Sequence, residues 1–514
     1  MINFLVLSLA SLGFLQVPPA PISRFEQGLE LRRELTAIEN HETQALSKLV
    51  ESLRNAGDKP EADEVTQRIL PPYSASAPES FAPLLEIVSR FEKPEPAQRS
   101  EEIQIREQTL AQLLTLANKA AAPGVGCYSL ADRCLREILI RDPDHAEARR
   151  LLGFVPTKSG WATPFAIEQQ KAGKVRHPIY GWVPTSWVEH LDRDELPGLV
   201  ITRDEPSQWL EADKADALRA EFFGRPWMIT TPHFKIRANT ALRKAIAFER
   251  RLEQFHDLFF SLLGDVIGRE RLPLAQRFAK TKTGSPSAVH RYEVWFFADR
   301  ADYSDYFKRT FRKDELISLG YFMPPSEAKL FKTTPRSYFY DDPNPAIDTE
   351  STLFHEASHQ LLFESAGASK FERNSGHHWV WEGLGTYFET VQVDAESGVM
   401  EIGSANGPRM AQARLRLVER NEYIPIRSLI SLDRSQFEAN PAIYLHYAES
   451  MALTLFLMHG ENGRYREGFL DYVRTGYEGR LGGSRGLDQF LGVTYNQLDA
   501  EFKTYLQNLP RSPE

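Results

Sequence analysis

The segment His355-Glu356-Ala357-Ser358-His359 constrains the fold of this chain more than any other. Two histidines four positions apart lie on one face of an α-helix, about one turn from each other. Both rings can then bind one divalent cation at about 2.0–2.1 Å, and the glutamate between them can polarise a water on that cation. Apolar residues surround the pair, namely Leu353, Phe354, Ala357, Leu361 and Leu362. The segment therefore predicts a buried helix that presents a metal site.

A third ligand is expected at Glu382, 23 positions after His359 and at the start of a second predicted helix. A hydrolytic zinc site needs three protein ligands and an open fourth position, so His355, His359 and Glu382 complete the set. Thr386 and Glu389 follow on the same helix face, four and seven positions later. Either of them can accept a hydrogen bond from the second ring nitrogen of a ligand histidine and thereby fix its orientation.

Other residues near this motif compete for the same functions. Glu389 is an alternative third ligand. His377 and His378 lie in a segment rich in helix-breaking residues, and either could bind the metal in another geometry. Histidines in loops near a metal site are more often solvated, or support the ligands without binding the metal. That is the alternative for His377 and His378. The alternative for the whole motif is a pair of core histidines with a solvated glutamate.

The 514 residues exceed what one hydrophobic core normally organises, and this length favours about three domains. The net charge is −9, and no stretch clusters basic residues with aromatic ones, which argues against a nucleic-acid partner. We therefore expect several globular units and a substrate or partner other than a polyanion.

The first fifteen residues are almost wholly apolar and are followed by Val17-Pro18-Pro19-Ala20. Such a stretch is too short to span a bilayer but has the length of the apolar region of a secretory signal. A signal peptide over residues 1–20 would make the protein exported (periplasmic, cell-surface or secreted). The usual positively charged start is missing, and an amphipathic first helix is the alternative. No later stretch reaches 18 apolar residues, so no stable membrane span is expected.

Residues 21–153 are predicted to form a helical, partly repeat-like domain. Within it, residues 128–153 resemble one helix–turn–helix unit, which cannot bury its own apolar face and must pack on neighbouring helices. Residues 154–224 form an aromatic-rich connector, in which interdomain packing of the aromatic residues is favoured over glycan or peptide binding. Cys127 and Cys134 are expected as buried thiols, with a disulfide as the alternative if Cys127 precedes the helix.

Residues 225–510 are predicted to form the catalytic domain, with strands and helices in alternation. Strand patterns occur at residues 228–236, 292–297, 320–323 and 337–340. These strands predict a small mixed or antiparallel sheet directly before the histidine helix, whose start Asp348 can cap. The chain is therefore expected to be α+β, with a helical N-terminal region followed by a sheet and an active-site helix.

With these motifs, residues 227–509 resemble the gluzincin metallopeptidases, and most closely their aminopeptidase-type, peptidase-MA-like branch. Besides the histidine segment, the resemblance rests on Glu382-Gly383 with the aromatic residues that follow. It also rests on Tyr447-Ala448-Glu449-Ser450, which is similar to the helix start that presents a tyrosine to the scissile carbonyl. The resemblance implies a zincin-like fold with one Zn²⁺ and these site residues: the ligands His355, His359 and Glu382, the general base Glu356, and the oxyanion donor Tyr447.

Within that branch the chain is most similar to bacterial exported proteins of unknown function that have a peptidase-like core. Two departures from the aminopeptidases matter. The spacing from His359 to Glu382 is longer, and the segment that anchors a substrate amino terminus is missing, so aminopeptidase action is not implied. Tyr444 competes with Tyr447, for which an ordinary tyrosine at the core edge is the alternative. Gly320-Tyr321-Phe322 is a candidate edge strand for pairing with an extended substrate.

The motif and the resemblance together predict a zinc-dependent hydrolase, in the first place a metallopeptidase that acts on a peptide or protein substrate. Glu356 would take a proton from an activated water and pass it to the leaving amine. Two alternatives remain open. The core could be a catalytically inert or structural scaffold whose helical N-terminal region binds a protein partner. The enzyme could also be a metal-dependent amidase that acts on a non-peptide, cell-wall substrate.

Overall fold

The structure, a computed structural model, describes most of the chain. The described ranges are 24–73, 78–84, 87–89, 100–202, 205–221, 223–266, 272–280, 290–312, 319–344, 349–366, 377–439, 441–481 and 486–508. The expected signal peptide at residues 1–20 and the expected helix cap at Asp348 lie outside them. Helices dominate and strands form small sheets, so the chain has the expected α+β class. Among the helices that the structure describes, none has both the length and the apolar character needed to cross a membrane.

Five helices build the N-terminal region, which we call the leader: α1 Arg24–Asn55, α2 Lys59–Gln67, α3 Ser100–Ala120, α4 Tyr128–Arg141 and α5 Ala146–Leu152. Two short strands, β1 Glu79–Phe81 and β2 Ile87–Ser89, lie between α2 and α3. α3 packs against both α1 and α4, so the repeat-like unit buries its apolar face on its neighbours. Cys127 and Cys134 are buried in this core as free thiols, which confirms the expectation and excludes the disulfide between them.

The connector is a run of short hairpins and helices. Its strands are β3 Val155–Thr157, β4 Gly160–Ala162, β5 Lys174–His177, β6 Gly181–Pro184, β7 Glu195–Pro197, β8 Ile201–Thr202, β9 Glu205–Pro206 and β10 Trp209–Glu211. Its helices are α6 Pro164–Lys171, α7 Val188–Asp192 and α8 Ala212–Ala220, with a 3-10 turn at Thr185–Trp187. Trp209 stacks on His190 with ring centroids 3.9 Å apart, and Trp187 packs edge-on against Trp209. These aromatic residues therefore pack against each other within the connector.

The central sheet has five strands: β11 Trp227–Thr230, β12 Phe234–Ala238, β13 Tyr292–Phe297, β14 Gly320–Met323 and β15 Arg336–Tyr340. In space they are ordered β11-β12-β13-β15-β14. The outer pairs are antiparallel and the two central pairs are parallel. Of the two arrangements expected, the sheet is therefore the mixed one. The helices between its strands are α9 Leu242–Leu263, α10 Leu272–Phe278, α11 Arg300–Phe311 and α12 Pro325–Leu330.

The main core lies on one face of this sheet. Phe234, Ile236 and Ala238 of β12 are buried on that face, as the period of two in a strand requires. The helices that follow are α13 Thr349–Ala366, α14 His378–Phe388, α15 Pro408–Ala413, α16 Ile426–Leu429, α17 Arg434–Phe437, α18 Ile443–Gly463, α19 Arg466–Tyr477, α20 Leu487–Leu491 and α21 Tyr495–Asn508. Two strands, β16 Gln392–Val393 and β17 Met400–Ile402, and a π-helical segment, Arg414–Glu419, lie among them. α14 packs against α13 and α18, which places both motif-bearing helices inside the core.

The leader is joined to the C-terminal part of the chain by backbone pairing and by charge. β1 pairs antiparallel with β17, with Glu79 opposite Ile402, and completes a three-stranded sheet with β16. Arg136 on α4 binds the carboxylate of Asp257 on α9 through two hydrogen bonds, of 2.5 and 3.1 Å. Strand β1, which belongs to the helical domain expected at residues 21–153, thus completes a sheet within the catalytic domain expected at residues 225–510.

Candidate metal centre

α13 brings His355 and His359 together on one face, as their spacing predicts. The two rings lie edge-on, with centroids 4.6 Å apart, and their Nε2 atoms are 3.0 Å from each other. Trp381 from α14 stacks on the ring of His359, with centroids 4.2 Å apart, and so restricts its orientation. Both histidine side chains are largely buried, which keeps water from competing for them.

α14 supplies Glu382 and lies close to α13 because it carries a glycine where a side chain would collide. A Cβ atom on Gly385 would lie 2.8 Å from Cε1 of His355 and 3.0 Å from Cε1 of His359. The glycine therefore lets the two helices approach until the carboxylate reaches both histidines. The sequence contains this signal as a second glycine, two positions after Gly383.

Three atoms converge between these helices: Nε2 of His355, Nε2 of His359 and Oε2 of Glu382. The carboxylate oxygen lies 3.5 Å from the first nitrogen and 3.7 Å from the second. Ligands of a tetrahedral zinc ion at about 2.05 Å lie about 3.4 Å apart, close to these separations. The oxygen is buried and accepts no hydrogen bond from any residue that the structure describes. Two imidazole nitrogens and one carboxylate oxygen are ligands that zinc prefers, so this group of residues fits the ion.

His355 is oriented by two charged residues in series. Its Nδ1 atom lies 2.8 Å from Oε1 of Glu389, and Arg409 donates two hydrogen bonds to that carboxylate, of 2.6 and 2.8 Å. Glu389 therefore acts as the acceptor for a candidate ligand histidine. Thr386, the other acceptor expected from the sequence, donates its hydroxyl to the carbonyl of Glu382 instead. No local pattern in the sequence indicates Arg409, which lies 20 positions from Glu389.

The charges at the centre favour one protonated and one neutral histidine. Burial alone would lower the pKa of His355, but the neighbouring carboxylates of Glu382 and Glu389 outweigh it and raise the pKa to about 10. Burial lowers the pKa of His359 to about 4. Burial would raise the pKa of Glu382, but the two histidines outweigh it and hold that pKa well below its usual range. A cation that binds here must therefore displace a proton from His355.

Glu356 lies between the histidine helix and the edge of the central sheet. Its Oε2 atom accepts a hydrogen bond of 2.9 Å from the backbone N–H of Phe322 on β14. Burial raises the pKa of the Glu356 carboxyl to about 7, which suits a group that takes and returns a proton near neutral pH. β14 comes this close because Gly320 has no side chain, since a Cβ atom there would lie 3.2 Å from Cγ of Glu356.

α18 places Tyr447 beside Glu382, the candidate third ligand. Burial and the neighbouring Glu382 carboxylate raise the pKa of this tyrosine far above its usual range. The hydroxyl therefore keeps its proton and remains a donor. Arg409 lies over the Tyr447 ring, 5.6 Å from its centroid. Tyr444, the competing tyrosine, is 72% exposed, and it is Tyr447 that is buried beside Glu382.

The two histidines before the third ligand differ in their surroundings. α14 begins at His378, so Glu382 lies one turn inside the helix rather than at its start. Nδ1 of His377 lies 2.6 Å from the hydroxyl of Tyr472 on α19, which engages this histidine away from the three converging atoms. Nε2 of His378 lies 3.5 Å from Oε1 of Glu382. This is the carboxylate oxygen that does not face His355 and His359.

One protein family matches the part of the chain that holds this centre. Residues 349–476 match a family described as "Protein of unknown function (DUF1570)". The match is compatible with a peptidase-like core and covers 128 of the 514 residues, from 349 to 476 inclusive. No curated protein and no solved structure matches the chain. The family description names no activity, so the function follows from the chemistry of the centre.

Proposed function

We propose that this protein is a zinc-dependent hydrolase, and most simply a metallopeptidase of the gluzincin type with a zincin-like fold. The observation that supports it most is the convergence of His355, His359 and Glu382, with Glu356 on the same helix as the two histidines and electrostatically coupled to His355 and Glu382. Structural zinc sites have four protein ligands, whereas a site with three leaves a position for water. A purely structural site would also have no use for a buried base. Hydrolysis is the chemistry that this arrangement serves best.

A zinc ion bound here would acidify a water at its open position and polarise the carbonyl of a substrate. The surrounding residues would move protons and hold the geometry. Glu356, whose pKa burial raises to about 7, would take a proton from the water and deliver it to the leaving amine. Tyr447, which keeps its proton, would donate a hydrogen bond to the developing oxyanion. Glu389 and Arg409 would keep His355 in its ligating orientation.

The edge of the sheet next to Glu356 supports an extended peptide as the substrate. β14 is an edge strand, and its Phe322 N–H donates to Glu356 rather than to the neighbouring strand β15. A substrate strand that pairs with this edge would therefore pass beside Glu356, with its side chains alternating on either side. This geometry favours a peptide or protein over a non-peptide polymer.

Metal analysis and peptide cleavage on the same variants test the proposal. The tag-free chain should contain about one zinc per molecule, and His359→Ala should lose it. Glu356→Gln should keep its zinc and its fold but cleave a peptide library about 10²–10⁴-fold more slowly. Glu364→Gln is the matched control, because this carboxylate lies on the same helix but bonds His290 and Gln360 instead.

Three outcomes distinguish the proposal from its alternatives. A wild-type chain without zinc, or Glu356→Gln with unchanged cleavage, overturns the mechanism. Bound zinc without cleavage of any peptide or other amide identifies an inert scaffold. Cleavage of cell-wall amides but not of peptides, in assays run side by side, identifies an amidase.

A further inference from the structure

A second group of metal-ligating atoms lies next to the first and shares a residue with it. Nε2 of His378 lies 3.5 Å from Oε1 of Glu382 and 3.6 Å from Oε1 of Glu438, and one ligand atom from each residue lies within 4.8 Å of the others. Ligands of one four-coordinate cation lie about 3.4 Å apart, so small side-chain movements bring all three to a single cation. The proposed hydrolytic mechanism uses neither His378 nor Glu438.

Glu382 can serve both groups because its two oxygens have different neighbours. Oε2 faces His355 and His359, at 3.5 and 3.7 Å. Oε1 faces His378, which lies one helical turn earlier on α14 and therefore on the same face of the helix. Hydrolytic centres with two neighbouring cations are a known arrangement, and a shared carboxylate is one way to hold them together.

The surroundings of His378 suit a ligand better than a purely structural side chain. Its Nε2 atom is buried and has no hydrogen-bond partner among the residues that the structure describes. A buried polar nitrogen without a partner is unfavourable, and a cation would satisfy it. Phe437 packs edge-on against the ring, with centroids 5.0 Å apart, and so limits the directions in which this nitrogen can point.

Arg434 competes with a cation for this position. Its Nε atom lies 2.9 Å from Oε1 of Glu438, which is the oxygen that the cation would need. The Arg434 side chain is 72% exposed, so it can turn into solvent when a cation arrives. Because Arg434 competes for Glu438 and both groups share Glu382, the second group should bind a cation more weakly than the first.

We propose that His378, Glu382 and Glu438 form a second divalent-cation site, weaker than the first, for an ion of the zinc, manganese or cobalt class. One imidazole and two carboxylates suit these ions better than calcium or magnesium, which prefer sites made only of oxygen ligands. The inference rests on the proposed function only through the shared Glu382. The two can therefore fail separately.

Calorimetric zinc titration of the metal-free, tag-free full chain tests the second site. Wild type should bind one tight and one weaker equivalent. His378→Ala and Glu438→Gln should each keep the tight equivalent and lose the weaker one. Arg434→Gln should instead strengthen the weaker equivalent by roughly three- to tenfold, because it removes a competing positive charge. His377→Ala, which changes the neighbouring histidine that bonds Tyr472, is the control and should keep both.

The same titration separates this site from the proposed function. His359→Ala should lose the tight equivalent and keep the weaker one, and a tight equivalent that survives in it overturns the proposed function alone. A single equivalent in wild type overturns the second site. So does a second equivalent that persists in both His378→Ala and Glu438→Gln. Circular dichroism verifies the fold of each variant. If His378→Ala does not fold, the other two variants still test the second site, because Glu438→Gln should lose the weaker zinc equivalent and Arg434→Gln should strengthen it.

Discussion

Glu79 and Arg466 lie 387 positions apart in the chain and form a buried ion pair, with Oε2 of the glutamate 2.7 Å from Nη1 of the arginine. Glu79 lies on β1 in the leader, and Arg466 is the first residue of α19. Burial alone would raise the pKa of Glu79, but Arg466 and Arg133 outweigh it and lower the pKa to about 2. The leader is therefore anchored to the helices that support the candidate metal centre.

Glu79→Gln should destabilise the protein most at neutral pH. The pKa of Glu79 falls from 4.5 to about 2 on folding, so ionisation of this residue stabilises the folded chain by about 3 kcal/mol at pH 7. This stabilisation is complete above pH 4.5 and is lost as the pH falls towards 2. The free energies of unfolding of wild type and Glu79→Gln should therefore converge near pH 2. Urea unfolding at several pH values measures the difference.

The control for this prediction is Glu401→Gln, which changes an exposed carboxylate on the same small sheet. Its free energy of unfolding should change by less than about 0.5 kcal/mol at every pH. A penalty for Glu79→Gln that grows as the pH falls would contradict the direction of the pKa shift.

Gly385→Ala should damage the metal centre without removing a ligand. The added Cβ atom would lie 2.8 Å from His355 and 3.0 Å from His359, so the rings or the helices must move apart. We expect the zinc affinity to fall at least about tenfold and the free energy of unfolding to fall by about 1–3 kcal/mol. Competition with a chromophoric chelator and urea unfolding measure the two effects. Gly407→Ala, whose Cβ atom meets nothing within 4 Å, should show neither.

Local patterns made the candidate ligands visible in the sequence. The spacing of His355 and His359 places them on one face of any helix, because that depends on helix geometry alone. The residue type of Glu382 and its position on a second helix predict it as a ligand, and the packing of α14 on α13 brings it to the two histidines. Of the two alternative acceptors for a histidine nitrogen, Glu389 makes the contact. The Thr386 hydroxyl does not, because a threonine hydroxyl inside a helix readily bonds the carbonyl one turn earlier.

Contacts between distant segments could not be predicted in this way. Glu79 on β1 lies opposite Ile402 on β17, although the two strands are far apart in the sequence. Neither strand carries a local sequence signal that indicates the other as its partner. Arg409 binds Glu389 from 20 positions away, on another helix. The parallel central pairs of the sheet follow from the helices between their strands, because such crossovers return the chain in the same direction. Strand composition alone does not distinguish that arrangement from an antiparallel one.

Glu389→Gln should weaken zinc binding and leave the fold intact. The amide keeps an acceptor near Nδ1 of His355 but loses the negative charge that Arg409 and the histidine share. Since outer partners of ligand histidines typically contribute 10–100-fold to metal affinity, we expect a loss of about tenfold. Chelator competition measures it, and Glu396→Gln, an exposed carboxylate after α14, is the control. Equal affinities for the two variants would show that Glu389 does not orient the ligand.

Replacing each tyrosine of α18 by phenylalanine tests which one serves the reaction. Tyr447 lies beside Glu382 at the candidate metal centre, whereas Tyr444 is 72% exposed. If Tyr447 stabilises the oxyanion, Tyr447→Phe should lower kcat about 10²–10³-fold with little change in KM or zinc content. Tyr444→Phe should behave as wild type. Loss of zinc in Tyr447→Phe would mean that the hydroxyl positions Glu382 instead, and equal effects of the two variants would contradict the assignment.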